Sequence, residues 1–197
     1  KPSLLASGVG PVSAITTMDG EIVIGTYGNG VYRLKDTGYL EELELPQTIN
    51  ASQARIVQIE PVGSAGILLL TEGGLVAVPG SQSSKEPLSG LTQLMDGTTP
   101  WAASTREELL WLATPTNGVY AVSLKDFPQR KPKIVIHQEV PGEIVQAVEA
   151  TSDTEALIAT TDSVFKISTT GAISRVYAGT GNTSVRFDFG ASHSNSS

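Results

Sequence analysis

The segment IVIGTYGNGVYRL, residues 22–34, carries the pattern that decides the fold. An apolar run ends at Thr26, a turn containing Asn29-Gly30 follows, and a second apolar run begins at Val31. Asn-Gly between two apolar runs is the strongest short-range signal of a β-hairpin. Residues 22–34 are therefore predicted to form two antiparallel strands joined by a tight turn.

The same pattern occurs four times along the chain. Each copy has an apolar run closed by a threonine, and the threonines are 45, 43 and 46 residues apart, at Thr26, Thr71, Thr114 and Thr160. After each threonine come a turn and a second apolar run, with a turn one residue shorter in the second and fourth copies. A regular period of this length indicates a repeat architecture.

Each copy has room for four strands. In the first copy we predict strands over 11–17, 21–26, 31–35 and 39–45. The second strands are nearly all apolar, which is typical of burial on both faces, whereas the fourth strands alternate or carry charge, as an exposed sheet edge does. A period of 40–50 residues with four strands per unit is typical of a β-propeller. A β-sandwich or barrel is the alternative, but neither would repeat its turn chemistry at fixed intervals.

The repeat divides the chain into an all-β propeller over 1–190 and a small polar tail over 191–197, predicted to be flexible. Four full blades are predicted over 8–50, 51–97, 98–142 and 143–183. Residues 1–7 resemble a fourth strand and 184–190 alternate like a first strand, so each end supplies a half-blade. Three outcomes stay open: part of a larger ring completed by another segment or chain, self-association, or a small ring of four or five blades. We favour the first.

Composition excludes several functional classes. There is no cysteine, so no disulfide framework, zinc ribbon, iron–sulfur centre or thiol nucleophile is available. The longest aliphatic run, 67–70, is far shorter than the ~20 residues that span a bilayer, so no membrane insertion is expected. A net charge of −7 with 13 basic residues argues against a nucleic-acid partner. With two histidines, at 137 and 193, and no Asp-x-Asp or His-x-His spacing, we predict no catalytic residue, metal or cofactor.

Residues 24–34 closely resemble the repeat of two-component-regulator-type propellers, in which a second strand ends in Gly-Thr and a Gly-rich turn leads into an apolar-aromatic third strand. Residues 113–120 are a good second copy, and the copies after Thr71 and Thr160 are degenerate. The resemblance implies a bacterial sensor or scaffold propeller, often periplasmic. We therefore expect a periplasmic or extracellular location.

Propellers place function where loops converge near the central channel. The candidate binding residues are six residues of the turns between second and third strands together with Trp101 on an inner strand: Tyr27, Asn29, Glu72, Trp101, Thr116, Asn117 and Asp162. Trp101 is assigned to an inner strand, where it either faces the channel or packs between blades. An exposed aromatic ring beside amides suits a carbohydrate or peptide.

The function predicted is a non-enzymatic recognition or sensor module that binds a protein, carbohydrate or peptide ligand through these loops. A scaffold subunit that completes a propeller with another segment or chain is the alternative. A third is part of a propeller enzyme, such as a lyase, lactonase or quinoprotein. The scarcity of histidines and of clustered carboxylates disfavours the enzyme.

Overall fold

The computed structural model describes residues 9–45, 55–62, 66–72, 74–79, 98–125, 132–140 and 144–178. Within them lie fifteen β-strands and no helix. The strands are β1 Val12–Met18, β2 Glu21–Thr26, β3 Val31–Leu34, β4 Leu40–Glu42, β5 Ile56–Pro61, β6 Gly66–Thr71, β7 Gly74–Pro79, β8 Ala102–Arg106, β9 Leu109–Thr114, β10 Gly118–Ser123, β11 Lys133–Gln138, β12 Val145–Ala150, β13 Glu155–Thr160, β14 Ser163–Ser168 and β15 Ile173–Ala178.

The strands form four antiparallel sheets, each in chain order. Blade 1 is β1–β4, blade 2 is β5–β7, blade 3 is β8–β11 and blade 4 is β12–β15. The predicted fourth strand of blade 2 falls in 80–97, and the predicted half-blades and tail fall in 1–7 and 184–197; these segments lie outside the described residues. The repeat of four blades is confirmed, and the chain is a partial β-propeller.

The strand bounds differ slightly from those predicted for blade 1. The second strand is as predicted, the first runs one residue later, and the fourth is shorter, covering Leu40–Glu42 rather than 39–45. An edge strand pairs on one side only, and the antiparallel register puts Leu40 opposite Leu34 and Glu42 opposite Tyr32, so β4 ends near the point where its neighbour β3 begins, at Val31. The described residues contain no helix long and apolar enough to cross a membrane.

Three apolar cores lie between successive blades, and the second strands of blades 2 and 3 each contribute alternate residues to two of them. In β6, Leu68 and Leu70 pack against blade 3, whereas Ile67 and Leu69 pack against blade 1. In β9, Leu110 and Leu112 face blade 2, and Trp111 faces blade 4. Every residue of β6 and β9 is buried. A blade only one sheet thick is thus covered by its neighbours.

The first strands converge. β1 lies against β5, β5 against β8, and β8 against β12, so the blades follow one another in chain order around an axis lined by these inner strands. The fourth strands lie at the periphery, where β15 is exposed along its whole length. Within the part of the chain that the structure describes, blade 4 and blade 1 make no comparable contact, and the four blades form an open arc.

Candidate functional site

The repeated threonines hold the turns between second and third strands. The Thr26 hydroxyl donates to the Gly30 carbonyl at 2.8 Å and accepts the Asn29 N–H at 3.1 Å. Blades 3 and 4 repeat this pair of bonds, from Thr114 to Gly118 O and Asn117 N, and from Thr160 to Ser163 O and N. All four threonines are buried. The residue that identifies the repeat is therefore a structural one.

The predicted binding residues lie at one end of the blades, which we call the turn face. It comprises the turns that follow Thr26, Thr71, Thr114 and Thr160, together with the segments entering the inner strands. Tyr27, Asn29, Glu72, Thr116 and Asp162 are exposed there. The backbone is fixed by a common hydrogen-bond pattern, while the side chains presented differ from blade to blade.

Tyr27 and Glu72 come together across the junction of blades 1 and 2. They meet through Arg55, whose guanidinium carbon lies 5.6 Å from the centre of the Tyr27 ring. Arg55 Nη1 also lies 3.6 Å from Glu72 Oε1. Sequence reasoning missed Arg55, a single cation just ahead of an apolar strand. The three side chains form one exposed patch of aromatic, cationic and anionic character.

A second group lies on blade 3. Asn117 Nδ2 donates to the Thr98 hydroxyl at 3.0 Å, and His137 Nε2 donates to the Asn117 carbonyl at 2.7 Å. The His137 ring stacks on Tyr120 with centroids 4.2 Å apart and planes 2° apart. These bonds hold His137 as an exposed edge residue of β11.

Trp101 lies beside that group but not in an inner strand. β8 begins one residue later, at Ala102, and the Trp101 N–H donates to the Ala113 carbonyl at 3.0 Å, next to Thr114. The side chain is 41% exposed and belongs to none of the three cores between blades. The prediction that Trp101 lies in an inner strand was wrong, because the chain is still entering the sheet at this position. The alternative that its ring packs between blades was wrong for the same reason.

The other predicted residues are more isolated. Asn29 Nδ2 donates to the Val9 carbonyl at 3.3 Å, which ties the blade 1 turn to the segment entering β1. Thr116 and Asp162 are exposed in the turns of blades 3 and 4. The structure therefore gathers the predicted residues into two groups, at blades 1–2 and at blade 3, and leaves Asp162 apart from both.

Sequence reasoning also missed a set of polar side chains between the inner strands, which we call the axial cluster: Gln58, Glu60, Ser104, Thr105 and Glu149. The Gln58 amide pairs with the Ala103 backbone, donating to its carbonyl at 2.6 Å and accepting its N–H at 3.1 Å. Glu60 Oε2 accepts the Thr105 N–H at 3.1 Å. Ser104 in turn accepts the Ala150 N–H at 3.0 Å and lies 3.4 Å from Glu149 Oε2.

Burial dominates the electrostatics of the axial cluster. It raises the pKa of Glu60 to about 7, against the lowering effect of the hydrogen bonds from Thr105 and Gln58, and the charge of Glu149 adds to the rise. Burial also raises the pKa of Glu149, although the Ser104 hydroxyl and the charge of Arg106 oppose it. The sequence signal is a carboxylate at the same place in two inner strands that are apolar apart from one glutamine each, Glu60 in β5 and Glu149 in β12.

Among the described residues, no three His, Cys, Asp or Glu side chains are grouped so that they could hold a metal ion. The arrangement on the turn face offers aromatic rings, amides and one paired arginine, which suit stacking and hydrogen bonding.

No protein-family model and no curated protein matches the chain. Solved structures do. The extracellular domain of the putative hybrid two-component system BT3049 from B. thetaiotaomicron aligns with a TM-score of 0.65 and 14% identity, over 89% of this chain and 24% of that one. The corresponding domain of BT4673 from the same organism gives 0.59 and 17%, over 86% and 22%.

Virginiamycin B lyase from Staphylococcus aureus aligns with a TM-score of 0.55 and 14% identity, over 88% of this chain and 58% of the lyase. The chain thus spans less than a quarter of the length of the two-component domains that it matches. The blade order, the turn chemistry and these likenesses agree: the chain is a β-propeller repeat protein whose fold resembles that of the extracellular domains of hybrid two-component systems.

Proposed function

We propose that this chain is a non-enzymatic recognition module that binds its ligand on the turn face. One observation carries the proposal: buried threonines hold the turns of blades 1, 3 and 4 alike, while the exposed side chains of these turns differ, with Tyr27, Thr116 and Asp162. A constant backbone with variable side chains is the arrangement by which rigid scaffolds present binding residues on loops.

The ligand proposed is a carbohydrate or a peptide. Trp101 offers an apolar ring surface, and Thr116 and Asn117, in the turn after the strand to which the Trp101 N–H is bonded, offer hydroxyl and amide groups. Rings beside hydrogen-bonding groups bind molecules that alternate apolar and polar surface. Tyr27 and Arg55 add a second such place, where a ligand carboxylate would compete with Glu72 for the guanidinium.

We place the module outside the cytoplasm, in the periplasm or the extracellular space, as the input domain of a sensor. The support is the fold likeness to two extracellular domains of hybrid two-component systems. The resemblance of residues 24–34 to the repeat of such propellers agrees with it.

Thermal unfolding with a panel of soluble oligosaccharides and peptides tests the proposal. A ligand of the native state raises the melting temperature by mass action. We expect at least one probe to raise it for the wild type and for Tyr39→Ala, and not for Trp101→Ala. Tyr39 is the matched control because it is an exposed aromatic residue at the opposite end of blade 1. A shift that survives Trp101→Ala and Tyr27→Ala alike, or no shift with any probe, would contradict binding on the turn face.

A separate observation supports a second function, that of a scaffold subunit that completes a ring. Ser104 accepts an inner-strand N–H of the next blade, from Ala150, just as Glu60 accepts that of Thr105. Glu149 occupies the same position in blade 4, whose outermost strand β15 is exposed and carries Ile173, Val176 and Tyr177. We propose that Glu149 accepts the inner-strand N–H of a further blade.

Native mass spectrometry tests this second function. If other copies of the chain complete the ring, we expect an assembly whose mass is a multiple of 20.6 kDa and whose association Glu149→Ala weakens. Glu42→Ala, which removes an exposed carboxylate of β4, is the control. A monomer that is equally stable with and without the Glu149 carboxylate would contradict it.

A further inference from the structure

The Thr105 hydroxyl lies between two acceptors at the junction of blades 2 and 3. Its Oγ1 is 3.0 Å from Glu60 Oε2 and 2.8 Å from the Pro61 carbonyl oxygen. A hydroxyl carries one hydrogen, so it can donate to only one of these oxygens at a time. If Glu60 is ionised, one of the two short contacts holds no hydrogen.

Gln58 cannot supply the missing hydrogen. One hydrogen of its amide goes to the Ala103 carbonyl at 2.6 Å and the other to Glu60 Oε1 at 2.7 Å. Its oxygen is fixed as the acceptor of the Ala103 N–H. The Glu60 oxygens are thereby distinguished: Oε1 accepts from Gln58, whereas Oε2 accepts the Thr105 N–H and also faces the Thr105 hydroxyl.

We infer that Glu60 is a proton-binding site, in which the neutral carboxyl donates from Oε2 to Thr105 Oγ1 and the Thr105 hydroxyl donates to the Pro61 carbonyl. With the proton bound, both short contacts are hydrogen bonds. When the proton leaves, the Thr105 hydrogen turns to the carboxylate, and the Pro61 carbonyl loses its bond to Thr105. The inner strands β5 and β8 are then joined by one hydrogen bond fewer, and a charge remains in the junction.

The charges around Glu60 favour the neutral form. β12 contributes Glu149, whose charge raises the pKa of Glu60. β8 contributes Arg106, whose charge lowers the pKa of Glu149. The strands β1, β6 and β9 carry no charged residue, and the one charged residue of β2, Glu21, is paired with Arg33 and Lys35. Burial raises the pKa of Glu60 to about 7, so the proton is released close to neutral pH.

The site is separate from the turn face. Pro61 pairs with Ile67 and Ile56 with Thr71, so Glu60 lies toward the opposite end of β5 from the turn of blade 2. The inference therefore does not depend on the proposed function, and a chain that binds no sugar or peptide would still bind this proton.

The test is a pH titration of the full chain by NMR, with ¹³C at the glutamate side-chain carboxyls. Unperturbed glutamates titrate near pH 4.3. We expect one carboxyl resonance with a midpoint near neutrality that is missing from Glu60→Gln. Glu42→Gln, an exposed carboxylate on β4, is the matched control and should leave that midpoint in place.

A second variant tests the inference independently if Glu60→Gln folds poorly. Glu149→Gln removes the negative charge that faces Glu60, so the neutral midpoint should move to lower pH. The inference is overturned if every glutamate titrates below about pH 5.5, or if the neutral midpoint persists in Glu60→Gln.

Discussion

At the scale of single residues, the chain separates positions that hold the turns from positions that present side chains. The threonine that ends each second strand is buried, and its hydroxyl makes two bonds to its own turn in the three blades where both are seen. The next residue is Tyr27, Glu72, Pro115 or Thr161, four different chemistries at one place in the repeat. Stability and recognition can therefore be altered independently.

Thr114→Val should destabilise the chain by about 1–3 kcal/mol, because it leaves the Gly118 carbonyl and the Asn117 N–H without their partner in a buried turn. Thr114→Ser keeps the hydroxyl and should lose less. Urea unfolding of the two variants and the wild type measures the difference. Equal losses would show that the methyl group, not the hydroxyl, is what the turn needs.

Gly118 and Gly20 form a matched pair for the backbone. Both have positive φ, +76° and +79°, but a Cβ at Gly118 would meet the backbone of Gln138 and Glu139, whereas one at Gly20 would meet nothing within 4 Å. Gly20→Ala should cost roughly 1 kcal/mol through conformation alone. Gly118→Ala should cost at least twice as much, as measured by the urea midpoint. Similar losses would mean that β11 can move away from β10.

At the scale of strands, the axial cluster makes the junction of blades 2 and 3 sensitive to pH. The pKa of Glu60 is raised in the folded chain, to about 7 from 4.5, so the folded state binds the proton more tightly than the unfolded state does. The stabilisation is complete below pH 4.5 and is lost as the pH rises toward 7.

We therefore expect the free energy of unfolding of the wild type, relative to Glu60→Gln, to fall as the pH rises from 4.5 to 7, by on the order of 3 kcal/mol for the full change in pKa. The difference between the two proteins isolates Glu60 from the other carboxylates. Denaturant unfolding at three pH values across this window measures it. A difference that stays constant with pH, or rises, would contradict a raised pKa.

The strands were predictable where the signals are local. Asn29-Gly30 and the run before Thr26 specify a hairpin within about a dozen residues, and β2 has the predicted bounds. The axial cluster was not predictable in the same way, because Glu60 meets Thr105 only when two blades pack, and no local pattern states which side chains then face each other. The assignment of Trp101 to a strand failed for a related reason: the first residue of a strand is set by its pairing across the sheet, and the residue paired with Ala113 is Ala102.

At the scale of the whole molecule, the four blades of the described residues form an open arc in chain order, with the proposed binding residues at one end and the proposed proton site toward the other. The repeat made the blade order predictable from sequence. The grouping of Tyr27 with Glu72 required the junction of blades 1 and 2, and the Arg55 that joins them carried no sequence signal.

The central claim is that ligands meet this chain on the turn face. Backbone amide chemical shifts, followed by NMR while the oligosaccharide and peptide probes are added, test it most directly. We predict that a binding probe shifts the amides of the turns after Thr26, Thr71, Thr114 and Thr160, and leaves unmoved those of the opposite turns at Asp19-Gly20, Glu107-Glu108 and 151–154. Shifts confined to the opposite turns or to β15, or no shift with any probe, would contradict the claim.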